Sequence, residues 1–413
     1  MEKHKIGCPI SMTDPKIMAC PFNAYDTIRE EKEIYIDPVT RMYVITRYDD
    51  LKAIADDPHT FANNTGQLGS RAQSVNQKIA DLYRDEGFLH VDTLVTNDPP
   101  SHTGYRSLVD KAFNALRIRS AEGTILAVTN ALIEKFPNGP FDVTQAFSIP
   151  LPVRMIAEQL GIPPELGPDF KRWSDALLQQ ASPGLSEEEM LDITKVVIQM
   201  QKFFAKMIRE TREQPSGTLL SDLANLEMDG KRLSEGELVS ILMQLLVAGN
   251  ETTTNTISAA VLRLAQDPEL QDRLRKNPDQ IRNFYEEVLR LDAALQGLFR
   301  RATKDTQVGE TPIPEGAILN MRWGAGNRDP KRYENRDEVN LERKAITQHL
   351  AFGHGIHFCI GNQLARAELR IGLSRLLEET TSIRLVDGED NVVRPPHFIA
   401  YGISKLMIEI TRA

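Results

Sequence analysis

One stretch limits the possible architecture of this chain more than any other. Ser234-x-x-Glu237 is a capping-box signature, in which each side chain satisfies a free backbone N–H of the other at a helix start, and apolar periodicity follows it to about Gln266. Some 30 residues at ~1.5 Å each make a helix about 48 Å long. Such a helix crosses a whole domain, so the remaining elements must pack around it. Its middle, Leu245-Leu246-Val247-Ala248-Gly249-Asn250-Glu251-Thr252-Thr253-Thr254, defies helix preference with a glycine and three consecutive β-branched threonines. Local disobedience of this kind marks functional sites. Gly249 costs about 1 kcal/mol relative to alanine but leaves room beside the backbone, while the Thr252 hydroxyl is spaced to bond the Ala248 carbonyl. The plain alternative is a buried helix that tolerates a few threonines.

The same reading predicts helices near 99–114, 118–136, 144–160, 164–179, 186–213, 268–276 and 279–290. Alternation at Glu33 to Asp37 and Arg41 to Arg47 around Pro38 predicts a hairpin, with Asp49 or Asp50 capping a short helix after it. Short strands broken by glycine and proline are expected from Ala302 to Met321, and more hairpin from Ile383 to Thr411. The fold class is therefore mainly α with small β-sheets. No linker, repeat or low-complexity run divides residues 1–413, which read as a single domain.

Charge and cysteine content exclude several functions. Lys+Arg 49 against Asp+Glu 58 gives a net charge of -9, so no global cationic field attracts nucleic acid or anionic lipid. No run of about 18 apolar residues predicts a membrane span, and the N-terminus lacks a signal-peptide core, so a cytoplasmic location is expected. Three cysteines, Cys8, Cys20 and Cys359, without a Cys-x-x-Cys pair, argue against disulfides and a four-cysteine zinc site.

Cys359 stands in Phe352-Gly353-His354-Gly355-Ile356-His357-Phe358-Cys359-Ile360-Gly361, a loop that feeds a helix. The glycines let the backbone turn and approach something flat, and the helix N-terminus favours a thiolate. Zinc would have only His354 and His357 nearby in sequence, whereas iron in a porphyrin needs one protein ligand on this face. The segment resembles the cysteine loop of the cytochrome P450 family, Phe-x-x-Gly-x-His/Arg-x-Cys-x-Gly, at Phe352, Gly355, His357, Cys359 and Gly361. Ala248, Gly249, Glu251, Thr252 and Thr253 match the family's Ala-Gly-x-Asp/Glu-Thr-Thr, and Glu287 and Arg290 match its Glu-x-x-Arg.

The resemblance covers almost the whole chain and implies a cytochrome P450 fold with the long helix over heme b, as in soluble bacterial members. It implies Cys359 as the axial ligand of the heme iron, with Phe352, Gly353, Ala248 and Gly249 against the heme. It also implies His102, Arg106, Arg300 and His357 as donors to two propionates, which need such partners when buried. Spacing agrees for His102 and Arg106, four apart on one helix. Glu287, Arg290 and Arg343 are implied as a structural ion-pair network. Two departures from the family pattern, Arg336 and Val339, leave the path of the loop before Arg343 open, and a third, Ala293-Ala294 where proline is common, leaves the lie of Leu295 and Gln296 open.

The implied activity is monooxygenation: one oxygen atom from O2 enters a hydrophobic organic substrate, with electrons passing from NAD(P)H through a flavin-dependent reductase and a ferredoxin. Thr252 is expected to organise protons at the bound oxygen, and Glu251 to relay them. A heme-thiolate sensor without turnover is the alternative, but it has no need of that pair. Gln244, Val247 and Ala248 are expected to roof the substrate pocket, with Leu295, Gln296 and Leu298 from the strand side, Phe88 to Val95 from the loop before Asp98, and Ile399 or Ala400 from the final hairpin. Gln244 either bonds a substrate oxygen or is satisfied by backbone. Lys111, Arg117, Arg119 and Arg366 are expected to form a basic patch for the ferredoxin.

Overall fold

The periodic stretch forms one helix, Glu235–Gln266, in a computed structural model that describes residues 10–65, 73–180, 185–228, 230–386, 388 and 391–413. Its capping box closes both ways: Glu237 N donates to Ser234 Oγ at 3.3 Å and Ser234 N to Glu237 Oε2 at 2.7 Å. Leu238 to Leu246 are buried in one core with the helices Pro150–Leu160, Gly167–Gln180 and Glu187–Glu213. Ile257 to Leu264 belong to another, with the helices Ala115–Glu134, Ile281–Leu291 and Asn362–Glu378. Each fully buried leucine or isoleucine contributes about 1.5–3 kcal/mol, so both halves are firmly held. The irregular middle belongs to neither core, and there Ala248, Gly249, Thr252, Thr253 and Thr256 face a cavity.

A five-stranded sheet closes one side of that cavity, in the order Tyr35–Ile36, Tyr43–Ile45, Ile318–Met321, Leu298–Ala302, Phe61–Ala62. The pair Tyr43–Ile45 and Ile318–Met321 is parallel; the others are antiparallel. Register pairs Arg300 with Leu319 and Leu298 with Met321, and the two-residue period of a strand turns Leu298 and Arg300 to one face. Both line the cavity. The C-terminal hairpin is Thr380–Leu385 with Met407–Arg412, extended by Phe141–Asp142.

The helices expected between Pro99 and Leu291 are present, with a π-helical turn at Thr144–Ser148. Five others, Pro15–Ala19, Phe22–Glu31, Gln73–Glu86, Leu219–Asn225 and Trp323–Gly326, were not foreseen. The helix Tyr48–Asp56 corrects the expected cap: Asp49 and Asp50 lie inside its first turn, and the Tyr48 N–H donates instead to Asp329 Oδ2 at 2.9 Å. At the N-terminus, Tyr25 Oη donates to Gln296 Oε1, Arg29 Nη2 to the Ala325 carbonyl, and Asp26 pairs with Arg336. Cys20 is an exposed free thiol; Cys8 lies outside the described residues. Among the described residues no helix is long and apolar enough to cross a membrane.

Candidate active site

The cysteine loop is set by its turns. Gly355 has φ +73, and a Cβ there would stand 2.2 Å from the Ala55 carbonyl oxygen, so glycine alone fits this approach to the helix Tyr48–Asp56. Cys359 N donates to the Phe352 carbonyl at 2.9 Å, and Asn362 Nδ2 to the Cys359 carbonyl at 2.7 Å. Phe352, Gly353, His357 and Cys359 all line the cavity. Burial pushes the Cys359 thiol up, against the N–H groups of Gly361 and Asn362 and the charges of Arg106 and Arg366. A metal ligand would form here with loss of the thiol proton.

Around the cavity edge the structure gathers His102, Arg106, Arg300 and His357 from a helix, a strand and the loop. His102 and His357 rings lie 4.1 Å apart between centroids. Arg106 Nη1 donates to the Phe358 carbonyl at 2.7 Å, and its Nε to Asp110. Arg300 is 4% exposed, yet its one side-chain bond goes to the neighbouring Phe299 carbonyl. Burial lowers its pKa to about 10, opposed by Asp98. His357 Nε2 is buried without a partner, and burial, with the nearby His102, Arg300 and Arg106, brings its pKa down to about 3. Buried donors this poorly compensated fit a guest that brings its own carboxylates. With a single sulfur opposite an apolar wall, the donor set fits a flat, largely apolar group carrying a metal.

On the opposite wall, Ala248, Gly249 and Thr252 of the long helix face the cavity. Thr252 Oγ1 donates to the Ala248 carbonyl at 2.7 Å, which leaves its lone pairs to accept a bond from a guest. Glu251, one residue round the helix, points to the side. Burial raises its pKa; Lys171 and a bond with Asn255 oppose the rise, and Asp175 adds to it.

The substrate-pocket expectations divide. Ala248, Leu295, Leu298 and Gln244 line the cavity, joined by Leu94, Val95 and Leu245. Gln296, Val247 and Ile399 do not. Gln296 is turned away from the cavity: its Nε2 donates to the Ala293 carbonyl, its Oε1 accepts from Tyr25, and a Cβ at Gly324 would meet it at 2.0 Å. Ile399 presents its carbonyl to Gln296 N at 2.7 Å. The Gln244 amide is taken up by the chain: Oε1 accepts from Val95 N at 2.9 Å, and Nε2 donates to Thr93 Oγ1 at 2.7 Å and the Ser240 carbonyl at 3.2 Å.

The Glu287 network forms around a fully buried pair, Glu287 and Arg290, with the Arg343 side chain largely buried beside it. Arg290 Nε and Nη2 grip the carboxylate at 2.6 and 2.9 Å, and Arg343 Nε joins at 2.9 Å. Arg290 also donates to the Arg336 carbonyl, which fixes the loop whose sequence departs from the family. Sequence reasoning missed the neighbour Glu286, bonded to His349 Nε2 at 2.9 Å and Arg366 Nε at 2.6 Å. It also missed Asn63 and Glu368 on the cavity wall. Glu368 is a buried carboxyl with Oε2 unbonded, and burial lifts its pKa to about 8. An acid on the apolar face of Asn362–Glu378, between Ala367 and Leu369, was the available signal. The expected basic patch is thinner than sequence implied, since Arg117 pairs with Asp222 and Arg366 with Glu286.

Comparison with known proteins adds the following. Residues 177–383 match the family model "Cytochrome P450". The chain is similar to Cytochrome P450 107B1 of Saccharopolyspora erythraea, 33% identical over 94% of both chains. It is 30% identical to the Vitamin D(3) 25-hydroxylase of Pseudonocardia autotrophica, over 94% of this chain and 93% of that one. Among solved structures, cytochrome P450 CREJ in complex with (4-ethylphenyl) dihydrogen phosphate superposes with a TM-score of 0.89, at 28% identity, over 99% of this chain and 100% of that one.

Proposed function

The chain belongs to the cytochrome P450 family of monooxygenases, whose cofactor is heme b, and from that premise we propose that it hydroxylates a hydrophobic organic substrate with O2. The observation that carries the assignment is the cavity itself, with one cysteine on one wall, a threonine-bearing helix on the other and buried basic side chains without bonded anions, Arg300 and His357, at its edge. In this reading Cys359 holds the iron, and His102, Arg106, Arg300 and His357 hold the two propionates. Phe352, Gly353, Ala248 and Gly249, which line the cavity, would flank the bound ring. The bound heme supplies dioxygen binding and reductive activation, with a thiolate ligand favouring O–O cleavage.

The polypeptide's own part is to place protons and exclude water. Thr252 Oγ1, already donating to Ala248, accepts a hydrogen bond and so holds a water or a protonated oxygen in place. Glu251, a largely buried carboxyl whose pKa burial raises, relays protons inward from the side where Lys171 and Asp175 lie. Leu94, Leu245, Leu295 and Leu298 keep the space between dry, which selects an apolar substrate. Electrons come from NAD(P)H through a flavin-dependent reductase and a ferredoxin, which docks on the side of Lys111 and Arg119. The whole of 1–413 acts as one cytoplasmic domain.

Two measurements test the reading. Cys359→His should abolish the red-shifted Soret band of the ferrous carbon monoxide complex. With a substrate found by its spin-state change, Thr252→Ala should keep consuming reduced nicotinamide but release more hydrogen peroxide and less product, whereas Glu251→Gln should slow total consumption. Unchanged coupling in Thr252→Ala would remove that residue from the mechanism, and no turnover with any binding substrate would favour the sensor alternative.

A further inference from the structure

The residues 87–98 cross the cavity without helix or strand, yet their backbone groups find partners in side chains of the surrounding helices. Phe88 N donates to Gln201 Oε1 at 2.9 Å, and Gln201 Nε2 returns a bond to the Phe88 carbonyl at 3.0 Å. Val91 N donates to Ser240 Oγ at 3.1 Å. Val95 N donates to Gln244 Oε1, while Gln244 Nε2 reaches Thr93 Oγ1, which is fully buried. From the sheet side Asn63 Nδ2 takes the Val95 carbonyl at 2.7 Å. Ser240 and Gln244 lie four apart on the long helix, one turn from the next, so the same face that leads to Ala248 and Thr252 also carries the fastening.

We propose that Gln244 is a positioning residue that sets substrate access by latching this strap, and that it offers no hydrogen bond to the substrate. Both ends of its amide are engaged: the oxygen by Val95, the nitrogen by Thr93 and by the Ser240 carbonyl. The two residues whose place it fixes, Leu94 and Val95, are themselves cavity wall. A strap of irregular chain held by side chains opens at the free energy of those few bonds rather than that of the whole domain. Releasing Gln244 therefore frees two apolar walls at once and leaves the long helix intact. The inference rests on the heme-binding reading of the cavity only in using heme as a reporter.

The test compares Gln244→Leu, Thr93→Val and Gln201→Leu in the heme-loaded protein. Backbone hydrogen exchange is measured along 87–98, and stopped-flow binding and release of 4-phenylimidazole, an azole that ligates heme iron, is followed by the Soret shift. In Gln244→Leu, exchange at the Val95 amide should rise about tenfold, the effect of losing a bond or two. Association and dissociation of the azole should both accelerate by a similar factor, with little change in Kd. Thr93→Val should give a smaller change of the same kind, and it carries the test should Gln244→Leu fail to fold. Gln201→Leu should speed exchange at Phe88 while leaving the azole rates alone. Wild-type exchange and rates in Gln244→Leu would overturn the latch. So would azole rates in Gln201→Leu that match those of Gln244→Leu, or a Gln244→Leu loss confined to affinity for ligands bearing a carbonyl or hydroxyl. Absence of any azole shift in the unaltered protein would instead count against heme binding, and the exchange data would still judge the strap.

Discussion

Glu286 and Glu287, adjacent in the chain and both fully buried, are met by four side chains between them, three of them arginines. Across the cavity, Arg300, His102 and His357 are also buried in large part, but no carboxylate is bonded to them among the described residues. Burial would raise the Glu286 and Glu287 carboxyls, yet their partners bring both below the usual range. At the cavity edge burial wins, and the bases are pushed toward neutrality. The first group is electrostatically complete within the polypeptide, as a structural unit must be. The second is completed only by something from outside the chain, so an incomplete buried charge set points to a binding site where a complete one does not.

The largest expected effect sharpens the complete side. Glu287→Ala leaves Arg290 and Arg343 buried without an anion and should cost about 3–5 kcal/mol. The loss should be the same in heme-loaded and heme-stripped protein, as measured by denaturant unfolding of each. A loss seen only with heme bound would break the comparison, since it would make this network part of the site.

Arg300→Ala should behave in the opposite way. In the heme-loaded protein it should lower stability by about 1–3 kcal/mol and speed heme loss, because a buried carboxylate loses its donor. In the stripped protein the same change should be neutral or stabilising, since it removes an uncompensated buried cation. Thermal unfolding of both forms, with Arg301→Ala as the neighbouring control, separates the outcomes. Equal losses with and without heme would place Arg300 in the scaffold.

The last effect is read from pH dependence alone and concerns Glu368, a buried acid with no cation among the described residues. Its pKa, raised by burial to about 8 from an ordinary 4.5, means that the folded state holds a proton the unfolded chain releases. The contribution to stability is full below about 4.5 and is lost as pH rises through 8. Between those values the slope is about 1.4 kcal/mol per pH unit. Glu368→Gln should flatten this part of the stability profile and make the protein more stable than wild type at pH 8. An unchanged profile would mean that Glu368 is compensated after all.

What could be read from the sequence was whatever is encoded within a few residues. The capping box at Ser234 placed the longest helix, and the spacing of His102 and Arg106 placed both on one helix beside the cavity. What could not be read depends on partners far apart. The cap on Tyr48 comes from Asp329, and Glu286 finds His349 and Arg366, pairings 63 to 281 residues apart that no local pattern announces. The helix Leu219–Asn225 is too short for its period to stand out. Gln296 was misplaced because position beside Leu295 suggests proximity to the cavity, whereas it lies in irregular chain before the strand Leu298–Ala302 and its amide is held by Tyr25 and the Ala293 carbonyl. The Gln244 question was open in sequence because the strap it fastens begins some 150 residues earlier.

The N-terminal helix Phe22–Glu31 meets Gln296, Ala325 and Arg336, and the strand Tyr43–Ile45 lies parallel to Ile318–Met321. A ribosome adds roughly 5–20 residues per second, so Tyr25 waits about 15–60 s for its partner to be made. During that interval the opening segment has a helix and a hairpin but no surface to rest on. The sheet that closes the cavity is thus assembled among the last features of the molecule, joining the earliest part of the message to some of the latest.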